Sequence, residues 1–328
     1  MTRLDPRPRV WLHRRSALGD VLMALPIAAL LARRDPSRRP TLVTHPRLLP
    51  LLGRAPFADA VARATPTPGD QHVDLHRSWP IAALRGRRGL PRRGLLDPLR
   101  RGLGRPTRLD AVHAVTRYGV AAGLGRLPLP LPLTPGPLLT VPPDRGVEDE
   151  GTLRVGLVVG AAHPSKVPTP ESLAQVVATL TQAHPGGLRV VWLGGAGDKI
   201  ACHLVTQTAI WPPHLTKGAD ERALTRDALG LAASVAGCDL VVGGDTGPMH
   251  LAQALDVPSL TLFGPTSPQR WGPWRASATA LATPIGCRPC SGHGQRACRY
   301  GHRACLTRIA PDHLRRATLN ILREVADR

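Results

Sequence analysis

The sequence contains few aromatic residues, few lysines and few acidic side chains. Aromatic residues make up only 3% of the 328 residues, so a buried core must be built mainly from leucine, valine, isoleucine and alanine. Arginine supplies almost all of the basic charge behind the formal net charge of +20, because only Lys166, Lys199 and Lys217 are lysines. Such a charge suits a phosphate-bearing substrate, an anionic lipid or nucleic acid. A GC-rich genome also produces an arginine bias without selection for binding, so the charge alone favours none of these partners.

The chain also lacks a long hydrophobic run. Its longest apolar stretch is confined to residues 21–32 and contains a proline. A membrane-spanning helix needs roughly 20 apolar residues, so we expect none in this sequence. The polar, basic N-terminus is not followed directly by an apolar stretch with a small-residue cleavage site, as a secretory signal requires. These features predict a cytoplasmic protein.

Short apolar strands alternate with helical patterns in two separate parts of the chain. The alternation predicts an α/β protein with two Rossmann-like, doubly wound domains. We assign residues 1–135 to the first domain and residues 153–310 to the second. Residues 136–152 belong to a proline-rich linker, in which residues 138–141 could still form an edge strand. Residues 311–328 predict a C-terminal helix that could cross back to the first domain.

The most informative junction is DTGPMHLAQALDVPSLTLFGP, at residues 245–265. A predicted strand ends just before it, and Pro248 suits the first turn of a helix, where its missing N–H costs no hydrogen bond. Ligands of parallel α/β sheets bind at the carboxyl ends of the strands. Backbone N–H groups at a helix N-terminus attract anions, so Thr246 and Gly247 predict a diphosphate site that His250 can also reach.

Two other interpretations fit part of this junction. Asp245 and Thr246 could simply cap the helix. The triplet Asp-Thr-Gly is also the active-site sequence of aspartic proteases, which need a second carboxylate and β structure after the triplet. The sequence has no second triplet of this kind, and residues 249–255 predict a helix, so a protease is disfavoured.

Three separated stretches together resemble the ADP-heptose:lipopolysaccharide heptosyltransferase family, glycosyltransferase family 9. They are RSALGDVLMALPIAALLARRDP at residues 15–36, AAHPSK at residues 161–166 and GCDLVVGGDTGPMHLAQALDVPSLTLFGPTSPQRWGP at residues 237–273. The resemblance runs in the same order along nearly the whole chain. It implies the GT-B fold, in which two Rossmann-like domains face each other across a cleft. The sugar nucleotide lies mainly on the second domain and the acceptor on the first.

The resemblance also implies a role for each matching residue. Asp20 corresponds to the general base that takes a proton from the acceptor hydroxyl, a task that suits a carboxylate. Lys166 corresponds to the lysine that neutralises the departing diphosphate. The residues matching the motif that contacts the diphosphate and the transferred sugar are Asp245, Thr246, Gly247 and His250.

A glycine-containing turn after another predicted strand resembles the family's nucleoside site. Gly194 and Gly195 form this turn, and Asp198 could reach a ribose hydroxyl, although an ordinary tight turn has the same composition. Asp198 stands where the family usually has a glutamate. Val167 and Pro168 follow the lysine, where the family commonly has a tryptophan. These departures bear on the identity of the donor and on the shape of the sugar or acceptor pocket.

The six cysteines divide into two groups. Cys202 and Cys238 fall in or next to predicted core elements. The other four lie in CRPCSGHGQRACRYGHRAC, residues 287–305, with two histidines between them. Their spacing permits a structural zinc site, and free or redox-active thiols are the alternative. The candidate ligands are Cys287, Cys290, Cys298 and Cys305.

Residues 85–108 contain nine arginines and a single acidic residue. They could hold an anionic glycolipid at the inner face of the plasma membrane, contact nucleic acid, or form a solvated loop. The stretch contains no aromatic residue for base stacking, which disfavours nucleic acid.

The resemblance implies an inverting glycosyltransferase that requires no cofactor for catalysis. It also implies that the enzyme moves heptose from ADP-heptose to a lipopolysaccharide-core-like or other glycan or glycolipid. The alternative is a nucleic-acid or anionic-surface binding protein that keeps the same fold without transferring a sugar.

Overall fold

The computed structural model describes residues 9–15, 17–65, 67–75, 112–146, 151–215, 224 and 227–328. Within these residues the chain forms two parallel β-sheets, one from each half of the sequence. The predicted α/β class with two Rossmann-like domains is therefore confirmed. The arginine-rich residues 85–108 lie outside the described part of the chain. None of the described helices is long and apolar enough to cross a bilayer.

The first sheet has the strand order β3-β2-β1-β4, and every neighbouring pair is parallel. The interior strand β1 is covered on both faces, so Trp11 and Leu12 are buried. Pro26 lies in the first turn of α2, which explains how the apolar run at residues 21–32 accommodates a proline. The strands are β1 (Val10–His13), β2 (Thr41–Val43), β3 (Asp59–Val61) and β4 (Gln71–Asp74), and the helices are α1 (Leu18–Leu22), α2 (Leu25–Arg34), α3 (Leu49–Leu52) and α4 (Ala114–Ala121).

The second sheet has the order β6-β5-β7-β8-β9 and is parallel throughout. Its central strands β5, β7 and β8 are buried along their whole length, because helices cover both faces. The strands are β5 (Leu153–Val158), β6 (Leu188–Leu193), β7 (Leu240–Gly244), β8 (Ser259–Phe263) and β9 (Ala278–Ala282). The helices are α5 (Pro170–Ala183), α6 (Lys199–Thr206), α7 (Ala228–Ala236), α8 (Gly247–Ala254), α9 (Pro268–Trp271), α10 (Ala304–Thr307) and α11 (Pro311–Ala326).

The linker contacts both domains instead of forming a strand. The backbone N–H of Leu138 donates to the carbonyl of Ala254 at 2.7 Å, and that of Thr140 donates to Arg54 at 2.9 Å. Leu139 is buried in the core that the two domains share. Residues 138–141 are therefore extended chain held by hydrogen bonds to separate elements, and the suggested edge strand is absent from them.

The C-terminal helix α11 packs on the second domain, against α5 and the strands β7, β8 and β9. Leu314 and Ile321 on its apolar side join the hydrophobic core of that domain. The suggestion that this helix crosses back to the first domain is therefore wrong. The physical reason is that its apolar stripe is satisfied by the sheet that immediately precedes it in sequence.

A buried histidine links the two domains directly. Nδ1 of His113 accepts a hydrogen bond from the N–H of Val115 at 3.2 Å and so caps α4. Nε2 of the same ring lies 3.0 Å from the carbonyl oxygen of Gly272 in the second domain, to which it donates. Burial is the main cause that lowers the pKa of His113 from 6.5 to about 4. The neutral ring therefore forms one of the interdomain contacts that fix the orientation of the domains.

Candidate functional site

A cavity of about 590 Å³ lies between the domains, at the carboxyl ends of strands from both sheets. Every residue that the sequence predicts for catalysis or donor binding lines this cavity: Asp20, Lys166, Gly194, Gly195, Asp198, Asp245, Thr246, Gly247 and His250. The residues come from loops more than 200 positions apart in sequence. The structure thus brings the predicted base and the predicted diphosphate site together in one cleft.

Asp20 enters the cleft from the first domain. The backbone of Ala17 adopts a left-handed conformation with φ 58° at the start of α1, and this sharp turn places Asp20 in the first turn of the helix. The carboxylate Oδ2 lies 2.5 Å from Nη2 of Arg14, on the loop that follows β1. Both side chains are about nine-tenths buried, with 11% exposure each. Arg14 therefore orients the Asp20 carboxylate at the edge of the cavity.

The domains touch where Gly19 meets the second domain. A Cβ atom at Gly19 would lie 2.8 Å from Cδ2 of His250, closer than real Cβ contacts allow. A glycine is needed here because the first helix of one domain approaches the donor-site helix of the other. This contact brings the start of α1, which carries Asp20, against the first turn of α8, which carries His250.

Asp245 is the centre of a buried polar cluster in the second domain. It is 3% exposed, and its Oδ2 lies 3.0 Å from Nζ of Lys166. Oδ2 also accepts a hydrogen bond from Oγ1 of Thr266 at 2.7 Å, while Oδ1 lies 3.6 Å from Nε2 of His250. Burial by itself raises the pKa of Asp245, but His250, Lys166 and Thr266 together outweigh it and hold the pKa well below its usual range. Asp245 is thus a fixed anion that positions the cation and the histidine around it.

Helix α8 presents its N-terminus to the cavity. Thr246 is the N-cap residue, but its side chain makes no capping hydrogen bond and instead donates to the carbonyl of Gly244 at 3.2 Å. The interpretation of Asp245 and Thr246 as a plain helix cap therefore does not hold, because neither side chain caps the helix. The first turn of α8, with Gly247 at its start, faces the cavity and offers backbone N–H groups to an anion.

The opposite end of the cavity is formed by glycines around Asp198. Oδ2 of Asp198 accepts a hydrogen bond from the N–H of Gly195 at 2.7 Å. A Cβ atom at Gly160 would lie 2.0 Å from Oδ2 of Asp198, and one at Gly194 would lie 2.6 Å from the same atom. The glycines leave room for the Asp198 carboxylate on this wall, at the carboxyl ends of β5 and β6.

The four clustered cysteines line a separate small cavity of about 10 Å³, roughly the space of one water molecule. Their thiols are free, and Cys290 and Cys305 are buried while Cys287 and Cys298 are half-buried. In the described residues, no group of three or more histidine, cysteine, aspartate or glutamate side chains has the arrangement of a metal site. The structure therefore gathers the four predicted ligands around one cavity, although the described side chains do not have the arrangement of a metal site.

Four further residues belong to the site that the sequence did not single out. Arg14 and Thr266 each follow a parallel strand, and that position could have identified them. Trp271 lines the cavity and lies under the guanidinium of Arg270, whose Cζ is 4.6 Å from the ring centroid. His293 lines it as well, although it belongs to the loop that carries the cysteines. No sequence pattern connects that loop with the cleft.

The arrangement can perform one displacement between two bound substrates. A carboxylate on one wall can accept a proton from a hydroxyl, and a lysine with a helix N-terminus on the other wall can stabilise negative charge on a phosphate. The groups face one cavity, so no covalent intermediate with the protein is needed to connect the two sites.

Residues 225–300 match the family model described as glycosyltransferase family 9 (heptosyltransferase). The chain is 31% identical over 94 residues to lipooligosaccharide heptosyltransferase 2 of Campylobacter jejuni, covering 28% of each protein. It is 44% identical over 71 residues to lipopolysaccharide heptosyltransferase 1 of Pseudomonas aeruginosa, covering 22% of this chain and 19% of that protein. The matched stretches thus span less than a third of these relatives.

Among solved structures, the E. coli ADP-heptose lipopolysaccharide heptosyltransferase II superposes with a TM-score of 0.63 at 21% sequence identity. The superposition covers 96% of this chain and 99% of that one, so the likeness extends over both domains. It confirms the GT-B architecture that the sequence predicted. The family match, the curated relatives and the shared fold agree with the resemblance found in the sequence: residues 225–300 are similar to glycosyltransferase family 9, and the chain has the fold of a heptosyltransferase of known structure.

Proposed function

We propose that the protein is an inverting glycosyltransferase that moves heptose from ADP-heptose to a lipopolysaccharide-core-like glycan or glycolipid. The observation that carries the proposal is one interdomain cavity that is lined by Asp20 from one domain and by Lys166 and the start of α8 from the other. The names of the relatives support heptose as the sugar, and the name of the similar E. coli structure supports ADP-heptose as the donor.

In the proposed reaction, Asp20 takes the proton from an acceptor hydroxyl as the oxygen attacks the anomeric carbon of the sugar. The bond between that carbon and the diphosphate oxygen breaks in the same step, and the configuration of the carbon is inverted. Arg14 keeps the Asp20 carboxylate in place until the acceptor binds. Lys166 and the N-terminus of α8 stabilise the negative charge that develops on the leaving nucleoside diphosphate.

The remaining cavity residues are assigned to donor binding. His250 and Thr246 lie beside the diphosphate position, since both line the cavity next to Asp245. Asp198, with the surrounding glycines, is assigned to the ribose. We further propose that Cys287, Cys290, Cys298 and Cys305 hold a structural zinc ion, because thiolates are the ligands zinc prefers and all four line one cavity. Their side chains would have to turn towards the ion to coordinate it, since they do not have the arrangement of a metal site in the described residues. This ion would stabilise a loop and takes no part in the transfer.

For the arginine-rich residues 85–108 we propose contact with an anionic glycolipid or membrane surface. The support is their charge, because each arginine near an anionic surface contributes on the order of 1 kcal/mol. The nucleic-acid alternative gains no support from the described residues, where the polar groups of the predicted site converge on a cavity instead of an open groove.

The test is a comparison of binding and transfer in Asp20→Asn. We expect transfer from ADP-heptose to fall by about 10² to 10⁴-fold, because general base catalysis is lost, while ADP binding stays within about twofold. Asp312→Asn, an exposed carboxylate at the start of α11, is the matched control and keeps full activity. Unchanged transfer in Asp20→Asn would remove Asp20 from the mechanism. If neither ADP nor ADP-heptose raised the melting temperature of the unaltered protein, the proposed function would be wrong.

A further inference from the structure

The loop that carries the cysteines, residues 287–305, is also a wall of the interdomain cleft. We call it the cysteine loop. His293 lies in this loop and lines the same cavity as Asp20 and Lys166. Its side chain is exposed to that cavity, unlike the neighbouring Cys290, which is buried. The loop therefore has an inner side facing the cleft as well as the side that holds the cysteines.

A buried tryptophan fixes the position of His293. The imidazole centroid lies 5.1 Å from the ring of Trp271, at an interplanar angle of 49°. Nε1 of Trp271 donates a hydrogen bond to the carbonyl of Gly292 at 2.7 Å, so the residue before His293 is held by the same indole. Partial burial, together with the nearby charges of Arg270 and Lys166, lowers the pKa of His293. A neutral imidazole can both donate and accept a hydrogen bond.

The cysteine loop also holds the lysine of the diphosphate site. The N–H of Ser165 donates to the carbonyl of Gln295 at 3.2 Å, and the N–H of Gln295 donates back to Oγ of Ser165 at 2.9 Å. Gly294 has φ 99°, and a Cβ atom there would lie 2.6 Å from Cδ of Lys166. His293 and Lys166 are thus kept in a fixed relation by adjacent residues of one loop.

We propose that His293 is a substrate-binding residue that makes a hydrogen bond to a hydroxyl of the transferred sugar. The inference deepens the proposed function and rests on it. The sugar must lie between the base and the diphosphate, and His293 lines the cavity with both Asp20 and Lys166. The proposed function assigns the nucleoside to another wall of the cavity, formed by Gly194 and Asp198. A hydroxyl-bearing sugar matches a neutral imidazole that can donate or accept.

The experiment measures the affinity of ADP and of ADP-heptose for the unaltered protein, His293→Ala and His293→Gln by calorimetry. ADP lacks the sugar, so His293→Ala should bind it within about twofold of the unaltered affinity. The same variant should bind ADP-heptose about 10-fold more weakly, which is the loss expected for one hydrogen bond. His293→Gln retains a donor and an acceptor and should recover part of that loss. His313→Ala, an exposed histidine of α11, is the control that changes neither affinity.

A second variant separates the two roles of the cysteine loop, which carries His293 and also holds Lys166 in position. Gly294→Ala should displace Lys166 and weaken ADP and ADP-heptose alike, since both carry the diphosphate. The inference on His293 is overturned if His293→Ala weakens both ligands equally or leaves ADP-heptose affinity unchanged. Failure of the unaltered protein to bind ADP-heptose would instead overturn the proposed function, and this inference with it.

Discussion

Nζ of Lys166 lies 3.0 Å from Oδ2 of Asp245, and this pair connects two loops of the second domain that the sequence separates by 79 positions. Both residues resemble donor-site residues and both line the cavity, but they differ in exposure. Asp245 is 3% exposed and is enclosed by Lys166, His250 and Thr266, whereas Lys166 is 14% exposed. The carboxylate thus holds the ammonium group at the cavity, where we propose that the diphosphate binds.

Removing either member of the pair should therefore damage the same function. We expect Lys166→Ala to lower kcat/KM for transfer by about 10² to 10³-fold, because a charge that stabilises the leaving group is lost. Asp245→Ala should cause a similar loss by releasing the lysine. The double variant should be no worse than the more impaired single one, since the two residues act as a unit. Steady-state kinetics of the two single variants and the double variant test this expectation, and losses that multiplied in the double variant would contradict it. Arg145→Ala, which removes an ion pair to Asp239 outside the cleft, is the control.

A methyl group at Gly19 should impair the cleft without unfolding either domain. The added Cβ would lie 2.8 Å from Cδ2 of His250, a side chain that is 5% exposed and has little room to move. We expect Gly19→Ala to lower transfer by about 10-fold or more, because small displacements of catalytic groups are costly. Gly286→Ala is the matched control, since a Cβ there meets no atom within 4 Å. Equal activity of the two variants would show that the domains need not approach at this contact.

Acidification should lower the free energy of unfolding through protonation of His113, which contacts both domains. The pKa of this histidine is lowered to about 4 in the folded protein, against an ordinary value of 6.5. The unfolded state therefore binds more protons between these two values, and the free energy of unfolding falls as the pH falls through the window. The lowered pKa of His113 contributes about 3 kcal/mol to the free energy of unfolding at neutral pH. As the pH falls, this contribution is lost at no more than about 1.4 kcal/mol per pH unit.

Urea unfolding at a series of pH values measures this effect. His113→Asn keeps a side-chain oxygen that can cap α4 but has no titrating ring. Its free energy of unfolding should depend less steeply on pH between 4 and 6.5 than that of the unaltered protein. Parallel pH dependences in the two proteins would mean that His113 does not cause the loss.

The cysteine cluster predicts a measurable metal content. Protein purified in the presence of zinc should contain about one ion per chain by elemental analysis, as a single site with four thiolate ligands requires. Cys290→Ala and Cys298→Ala should lose the ion, whereas Cys202→Ala, at a buried position on α6, should keep it. Because the cysteine loop clamps Ser165, removal of the ion should also lower the melting temperature. A metal content below a tenth of an equivalent in the unaltered protein would favour free thiols.

The sequence predicted local features that depend on neighbouring residues. The strand predicted over residues 239–242, which the structure extends to Gly244, the proline in the first turn of α8 and the apolar stripe of α11 all follow from periodicity and turn chemistry. It gave no sign of β3 or β9, which are half-buried and have no strong apolar run. Such strands form because a neighbouring strand is in place to pair with them. The residues of the strand itself do not show whether such a neighbour exists.

Local sequence alone indicated which residue types can do chemistry and the strand ends at which they stand, because turns and helix starts depend on a few consecutive residues. Which of those strand ends face one another became visible only in the folded molecule. It paired Asp20 with Arg14 and Asp245 with Lys166, and it packed the linker and α11 on particular partners. It also placed His293 in the cleft, through a tryptophan and a loop that no periodicity connects. These contacts join residues distant in sequence, and they are selected by shape and burial over the whole molecule.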